Sequence, residues 1–142
     1  MSEEELKPLN WKPDPSIGYT VRRRPDGGMH YTFNDTSPHT LKHWREFALE
    51  HLLYSDRLTR NLYDLRQISE IPEEAIAYAL EVGSDPAVRN IRIAVVVAND
   101  GVRQAIQKIA ALTTSPGGLD LAIFTDLGEA EVWLNRPLTL LV

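Results

Sequence analysis

A nearly continuous run of apolar, mostly β-branched residues extends from Ile91 to Ala98. Such a run is typical of a strand that is covered on both faces, so we expect it at the centre of a sheet. Shorter apolar runs predict two further strands, from Arg57 to Leu65 and from Leu119 to Phe124. Each of the three runs follows a segment with helical spacing, which favours parallel strands joined by helical crossovers.

The segment from Ile17 to Asn34 has a different pattern, with two β-rich runs around Pro25-Asp-Gly-Gly. Glycines supply the positive φ of a tight turn, so this segment predicts an antiparallel hairpin. Its three aromatic residues are expected in the core or in cross-strand pairs: Tyr19, Tyr31 and Phe33. The three arginines from Arg22 to Arg24 are expected to protect the hairpin against edge pairing, with binding of a phosphate or an acidic partner as the alternative.

Four segments have apolar residues at helical spacing. The first begins at Ser37-Pro38 and extends to about Leu53, and the second begins at Pro72 and ends at Gly83. The run Asn99-Asp100-Gly101 is expected to cap the third, and Asp126 the fourth. The apolar faces are Leu41/Trp44/Ala48/Leu52, Ala75/Ile76/Ala79/Leu80, Val102/Ala105/Ile106/Ile109/Leu112 and Ala130/Trp133/Leu134. The order ββαβαβαβα predicts a single α/β domain with a mixed, mostly parallel five-stranded sheet and four helices.

The sequence has 142 residues, no cysteine and a net charge of −5 at pH 7. A chain of this length supports one hydrophobic core without disulfides, and the lack of thiols excludes thiolate zinc sites and thiol catalysis. The acidic balance opposes nucleic acid and anionic membranes as partners. No apolar run approaches the ~18 residues of a membrane span, and the acidic first residues do not resemble a signal peptide. We therefore expect a cytoplasmic protein.

Two terminal segments are expected to differ from the domain at residues 17–135. Residues 1–16 hold three prolines among charges, which predicts an extended arm that Trp11 pins to the domain. Residues 136–142 form an apolar tail. The tail is expected either to dock on its own domain or to exchange with a second copy, and exchange predicts a homodimer.

The predicted order of elements carries three local motifs. They are Tyr63-Asp-Leu-Arg66 after the third strand, Arg92-Ile-Ala-Val-Val-Val97 in the fourth, and Phe124-Thr-Asp-Leu-Gly-Glu-Ala130 before Trp133-Leu134. With these features, residues 17–135 resemble STAS-like domains. They are most similar to the bacterial single-domain branch related to anti-sigma-factor antagonists and to CRAL-TRIO lipid-transfer domains. The resemblance implies a STAS-like fold and a non-catalytic regulatory role.

In anti-sigma-factor antagonists, a serine at the start of the second helix is the kinase target. Here Pro72, Glu73 and Glu74 occupy the approximate motif positions, so the phosphorylatable serine is missing. Ser69 lies earlier, in the loop, where a hydroxyl commonly bonds neighbouring backbone amides. Negative charge is favoured at a helix N-terminus, so the glutamates are either ordinary first-turn residues or imitate a permanently charged switch.

Two candidate sites follow from these features. The candidate interaction surface is the loop and helix start that contains Asp64, Arg66, Ser69, Glu73 and Glu74. Ligands of parallel sheets bind beyond the carboxyl ends of the strands, which adds the loops at Asn99, Asp100 and Asp126. The aspartates at two helix N-termini favour capping over anion binding there.

The sequence contains no recognisable enzyme motif, such as a phosphate-binding glycine loop or a nucleophile elbow. His39, His43, Glu46 and Glu50 share one stripe of the first helix, a spacing that can hold a divalent metal. The stripe lies opposite the apolar face, however, and is expected to be a solvated surface. We expect no enzyme, no cofactor and no metal.

Two functions stay open. The first is a non-catalytic regulatory domain that binds an unidentified protein partner through the surface from Asp64 to Glu74. The alternative is a carrier or sensor of an apolar, lipid-like small ligand, which requires an apolar cavity of roughly a few hundred Å³. A void-free core argues against the carrier, and a pocket that joins Asp64, Arg66 and Asp100 argues for an enzyme.

Overall fold

The structure is a computed structural model that describes residues 14–52, 59–84, 89–113 and 117–136. Its elements follow one another in the predicted order ββαβαβαβα. The strands are β1 (Tyr19–Arg23), β2 (Met29–Phe33), β3 (Thr59–Asp64), β4 (Arg89–Val96) and β5 (Gly117–Phe124), and the helices are α1 (Pro38–Leu52), α2 (Glu73–Gly83), α3 (Asp100–Leu112) and α4 (Leu127–Leu134). The predicted α/β fold class is therefore confirmed.

The five strands form one sheet in the order β1-β2-β3-β4-β5. β1 and β2 are the antiparallel hairpin, with Val21 opposite Tyr31, and the other three pairs are parallel. Each right-handed crossover places its new strand next to the previous strand, and all three proceed in the same direction across the sheet. The crossover helices α1, α2 and α3 therefore lie on one face of the sheet, and α4 lies on the opposite face. β4 is an interior strand, as its apolar run predicts, but the middle position belongs to β3.

The sheet separates a large hydrophobic core from a small one. The large core lies between the sheet and α1–α3 and contains the hairpin aromatics, as predicted. Tyr19 stacks on Phe33 with ring centroids 4.7 Å apart, and Tyr31 stacks on Tyr63 at 4.3 Å. The small core lies under α4 and contains Leu62, Ala94, Val96, Ala130 and Leu134.

Several predicted boundaries differ from the observed ones. β4 begins two residues before the apolar run, because Arg89 pairs with Gly117 through the backbone and needs no apolar side chain. Gly83 is the last residue of α2, and Ser84 is the C-cap of the helix. The φ of Ser84 is −97°, so this helix does not end in a glycine with the left-handed conformation. Leu112 was predicted on the buried face of α3, but the side chain at this last helical position is 54% exposed.

The two glycines of the hairpin turn serve different purposes. Gly27 has a φ of 94°, the left-handed conformation predicted for the turn. Gly28 does not have a positive φ, so the prediction is wrong at this position. A Cβ on the buried Gly28 would overlap the backbone carbonyl oxygen of Arg60. Gly28 therefore allows β2 to approach β3 closely.

Arg24 is buried, so the expectation that it guards the hairpin edge is wrong. Its side chain is 4% exposed, and its guanidinium lies 3.0 Å from Asp26 and 2.8 Å from Glu131. Because Glu131 belongs to α4, Arg24 ties the hairpin to that helix. Arg22 is exposed on β1, which is an edge strand of the sheet.

Two predicted segments fall outside the described residues. They are the N-terminal arm through residue 13, with Trp11, and the tail from Pro137 onward. The docking of the arm and of the tail therefore stays a prediction. Within the described part of the chain, no helix is long and apolar enough to cross a membrane.

Candidate functional site

The predicted strand-end loops meet at the carboxyl edge of the sheet. The Asn99 amide nitrogen lies 3.5 Å from the backbone carbonyl oxygens of Ile68 and Ser69. The amide oxygen of Asn99 accepts the Val102 N–H at 2.8 Å and so caps α3. Asn99 thus holds the β3–α2 loop against the start of α3.

Of the two aspartates of these loops, Asp126 caps a helix and Asp100 does not, so the capping expected of Asp100 is wrong. Asp126 is the N-cap of α4 and accepts the Glu129 N–H at 2.9 Å, which confirms the predicted cap. Asp100 begins α3, and its side chain is 91% exposed, with Arg103 at 3.9 Å. Neither carboxylate lines the cavity described below.

Asp64 and Arg66 form a bidentate ion pair at the end of β3. The Arg66 guanidinium donates to both carboxylate oxygens of Asp64, at 2.9 Å and 2.7 Å. The hydrogen bond from Arg66 lowers the pKa of Asp64, and this effect outweighs the opposing effect of burial. Asp64 is therefore ionised at neutral pH and is poorly suited to donate a proton.

The rest of the candidate interaction surface is exposed to solvent. Ser69 lies in the loop before α2, and Glu73 and Glu74 form the acidic first turn of that helix. The N-cap of α2 is Pro72, whose side chain makes no cap hydrogen bond. The negative charges of Glu73 and Glu74 lie at the N-terminus of α2, where the helix macrodipole favours them.

A partly open apolar cavity of about 140 Å³ lies within the large core, on the face of the sheet that α1, α2 and α3 cover. Its walls come from α1, α2, α3 and the sheet, and include Leu41, Trp44, Ala75, Ala79, Val82, Gly83, Ile106, Ile109, Phe33, Tyr63, Ile93, Val95 and Leu121. No charged side chain is among the described residues that line it. Ala75, Ala79 and Gly83 lie four positions apart on one row of α2, and their small size leaves this space open.

The cavity is separate from the Asp64–Arg66 pair. Side chains alternate along a strand, so Tyr63 and Leu65 line the cavity while Asp64 points to the α4 side. The cavity does not join Asp64, Arg66 and Asp100, the arrangement that would have indicated an enzyme.

One polar contact lies on the cavity wall. The Trp44 indole Nε1 donates to the Tyr63 hydroxyl oxygen at 3.2 Å, and both residues line the cavity. Burial raises the pKa of Tyr63 well above its ordinary value, so the hydroxyl keeps its proton. Sequence reasoning missed this pair, although Tyr63 is the aromatic residue of an interior strand and Trp44 lies on the predicted buried face of the first helix.

The polar stripe of α1 is not a solvated surface throughout. His39, Glu46 and Glu50 are exposed, but His43 is half-buried and its Nδ1 lies 2.8 Å from the Tyr19 hydroxyl. The expectation of a solvated stripe is therefore wrong for His43. Among the residues that the structure describes, no group of three potential metal ligands comes together.

Comparisons with known proteins address the fold. A scan against protein-family models gives no match, and a search of the curated proteins gives no significant match. Among solved structures, the chain is similar to an uncharacterized protein of the DUF3478 family from Shewanella loihica PV-4 that has a SpoIIAA-like fold. The TM-score is 0.60 at 15% identity, with 87% of this chain and 99% of that chain covered. The resemblance seen in the sequence is confirmed at the level of the fold: the chain adopts the SpoIIAA-like form of the STAS-like fold.

Proposed function

We propose that this protein is a non-catalytic domain that binds a small apolar ligand in the cavity between α1, α2, α3 and the sheet. The observation that carries the proposal is the cavity itself, with its apolar walls and a volume of about 140 Å³. An apolar cavity of about 150 Å³ in an otherwise packed protein stays dry and binds benzene. The volume is smaller than a lipid carrier requires, so the ligand is close in size to a six-membered ring.

The free-energy cost of an unfilled cavity favours binding of a ligand of this size. A cavity costs about 24 cal/mol per Å³ because its walls lose dispersion contacts, which is roughly 3 kcal/mol for this volume. A ligand that fills the space restores those contacts. The binding free energy of such a ligand corresponds to a dissociation constant on the order of 1 mM.

The first test fills the cavity with a side chain. Ala79 lines the cavity, and its replacement by leucine adds three carbon atoms there. We expect the wild-type protein to bind benzene with a dissociation constant on the order of 1 mM, and Ala79→Leu to weaken binding at least tenfold. Methyl NMR spectra recorded during a benzene titration measure both constants.

Ala77→Leu is the matched control. Ala77 lies on the exposed side of the same helix, so the same substitution there leaves the cavity unchanged. We expect this variant to bind benzene like the wild type. The proposal is wrong if benzene does not perturb the wild-type methyl signals, or if both leucine variants weaken binding equally.

A second candidate function is binding of a regulatory protein partner on the surface from Asp64 to Glu74. Arg66, Ser69, Glu73 and Glu74 favour it because they are exposed together at and before the start of α2. The same helix forms a wall of the cavity, so a partner there lies close to a bound ligand. A homodimer and a cytoplasmic location stay predictions.

Charge reversal tests the partner surface. We expect a variant with both Glu73→Lys and Glu74→Lys to bind a partner captured by pull-down at least tenfold more weakly, because two favourable charges become repulsive. Surface plasmon resonance with the purified partner measures the affinity. Glu129→Lys makes one charge reversal of the same kind in the first turn of α4, on the other face of the sheet, and is expected to bind normally. Unchanged affinity in the double variant removes this surface from consideration.

A further inference from the structure

Arg92 is a buried arginine that forms no ion pair with a described carboxylate. It lies on β4 and is only 6% exposed, and its Nε is a buried donor that makes no hydrogen bond. Burial lowers the pKa of Arg92, and the nearby cations of Arg136 and Arg60 lower it further. Arg24 is buried to the same extent, but two carboxylates pair with it. Arg92 thus lacks the counter-charge that the other buried arginine has.

Two further arginines lie beside Arg92. Arg60 is directly opposite Arg92 in the parallel pairing of β3 and β4, where like charges repel. Arg136 follows α4. The guanidinium groups of Arg92 and Arg136 both lie over the Trp133 ring, 5.6 Å and 5.0 Å from its centroid. Arg60, Arg92 and Arg136 therefore form one group, the arginine cluster.

The described negative groups around the arginine cluster balance only part of its charge. Arg60 donates from Nε to the Leu134 carbonyl oxygen at 2.7 Å. Arg92 donates from Nη1 to the Arg136 carbonyl oxygen at 2.9 Å. The dipole at this C-terminal end of α4 is equivalent to about −0.5 elementary charge. Asp120 adds one negative charge 3.8 Å from Arg136, but its side chain is 62% exposed. An excess of roughly 1.5 positive charges remains.

The arginine cluster also has unused N–H donors and reaches the surface. Within the ranges that the structure describes, Arg60 Nη1, Arg92 Nη2 and Arg136 Nη1 donate to no protein oxygen. Arg136 is exposed, Arg60 is half-buried and Arg92 is buried, so the cluster extends from solvent to the sheet. The planar fork of a guanidinium group matches the oxygens of a phosphate.

We propose that the arginine cluster binds a phosphate group, which Arg60, Arg92 and Arg136 hold beside the C-terminus of α4. A phosphate monoester carries about −1.5 to −2 charges at pH 7, which matches the excess positive charge of the cluster. A carboxylate supplies only one negative charge. Arg60 lies two positions from Leu62, which belongs to the small core under α4, so this site and the apolar cavity are on opposite faces of the sheet. The proposal is therefore independent of the cavity ligand.

The experiment titrates the protein with inorganic phosphate, methyl phosphate and methyl sulfate at constant ionic strength. NMR signals of the Trp133 indole N–H and of the arginine Nε–H groups report binding. Methyl sulfate has nearly the shape of methyl phosphate but carries a single negative charge. We expect methyl phosphate to bind with a dissociation constant on the order of 1 mM, and methyl sulfate to bind about fivefold more weakly or worse.

Two variants test the residues of the site. We expect Arg136→Gln and Arg92→Gln each to raise the dissociation constant for methyl phosphate about fivefold or more, because each removes one charged donor. Arg136 is exposed, so its replacement leaves the fold intact even if that of Arg92 does not. Arg103→Gln is the matched control, since it makes the same charge change on α3, on the other face of the sheet. This variant is expected to bind like the wild type.

Three results would overturn the proposal. The first is that neither phosphate binds the wild type, and the second is that methyl sulfate binds as tightly as methyl phosphate. The third is equal weakening by Arg103→Gln and Arg136→Gln, which would show attraction by net charge alone. Binding of methyl phosphate at least as tight as that of inorganic phosphate supports a monoester as the ligand. Weaker binding of methyl phosphate than of inorganic phosphate supports free phosphate at the same site.

Discussion

Replacing Gly28 with alanine is expected to lower the free energy of unfolding by about 3 kcal/mol, a large fraction of the stability of a domain of this size. A Cβ at this position would overlap the carbonyl oxygen of Arg60 and lie 2.7 Å from its carbonyl carbon. The obstacle is backbone, which cannot rotate away as a side chain can. β2 and β3 would have to separate where the hairpin joins the parallel sheet. Urea denaturation followed by tryptophan fluorescence measures the change.

Gly101→Ala is the control for this prediction. A Cβ there would lie 3.5 Å from the Asn99 side-chain oxygen, an ordinary contact, and Gly101 lies in the first turn of α3. Alanine is favoured over glycine in a helix by up to about 1 kcal/mol, so this variant should be as stable as the wild type or slightly more stable. A Gly28→Ala variant of wild-type stability would show that β2 does not approach β3 so closely.

The type and order of the elements could be predicted because those signals are local. The run from Ile91 to Ala98 identifies an interior strand, and Asn99 and Asp126 mark helix starts by their own side chains. The meeting of the strand-end loops followed from a general property of parallel sheets. These features need only neighbouring residues or a rule of topology.

The cavity could not be predicted, because it depends on how side chains from four elements fill one volume. The sequence placed Ala75 and Ala79 on a buried face, but not the space beside them. Arg24 and His43 were misjudged for a related reason. Glu131, which pairs with Arg24, is 107 positions away along the chain, and Tyr19, which contacts His43, is 24 positions away.

The alternation of side chains along β3 places the cavity and the candidate interaction surface next to each other. Tyr63 and Leu65 face the cavity, while Asp64 between them faces the α4 side and holds Arg66 at the start of the exposed loop. The chain then passes from this loop into α2, which returns to the cavity with Ala75 and Ala79. A ligand that shifts α2 would therefore also shift the acidic first turn that is proposed to bind a partner.

Replacing Arg24 with methionine is expected to lower the free energy of unfolding by about 2 kcal/mol. Burial alone would lower the pKa of Arg24, but its hydrogen bonds to Asp26 and Glu131 outweigh burial and raise the pKa. Removing one partner of a buried pair costs about 3–5 kcal/mol when the remaining charge is fully buried. The expected cost is smaller here because both carboxylates left behind reach water, with the side chain of Glu131 37% exposed and that of Asp26 19% exposed.

Arg22→Met tests whether this loss comes from the buried ion pairs rather than from any arginine of the hairpin. Arg22 lies two positions earlier and is exposed, so its replacement should change stability by less than about 0.5 kcal/mol. A double-mutant cycle of Arg24→Met with Glu131→Gln should give a coupling energy of about 1 kcal/mol, since the two side chains are in direct contact. A coupling energy of zero would mean that the Arg24–Glu131 pair does not stabilise the fold, and that α4 is held to the hairpin by other contacts.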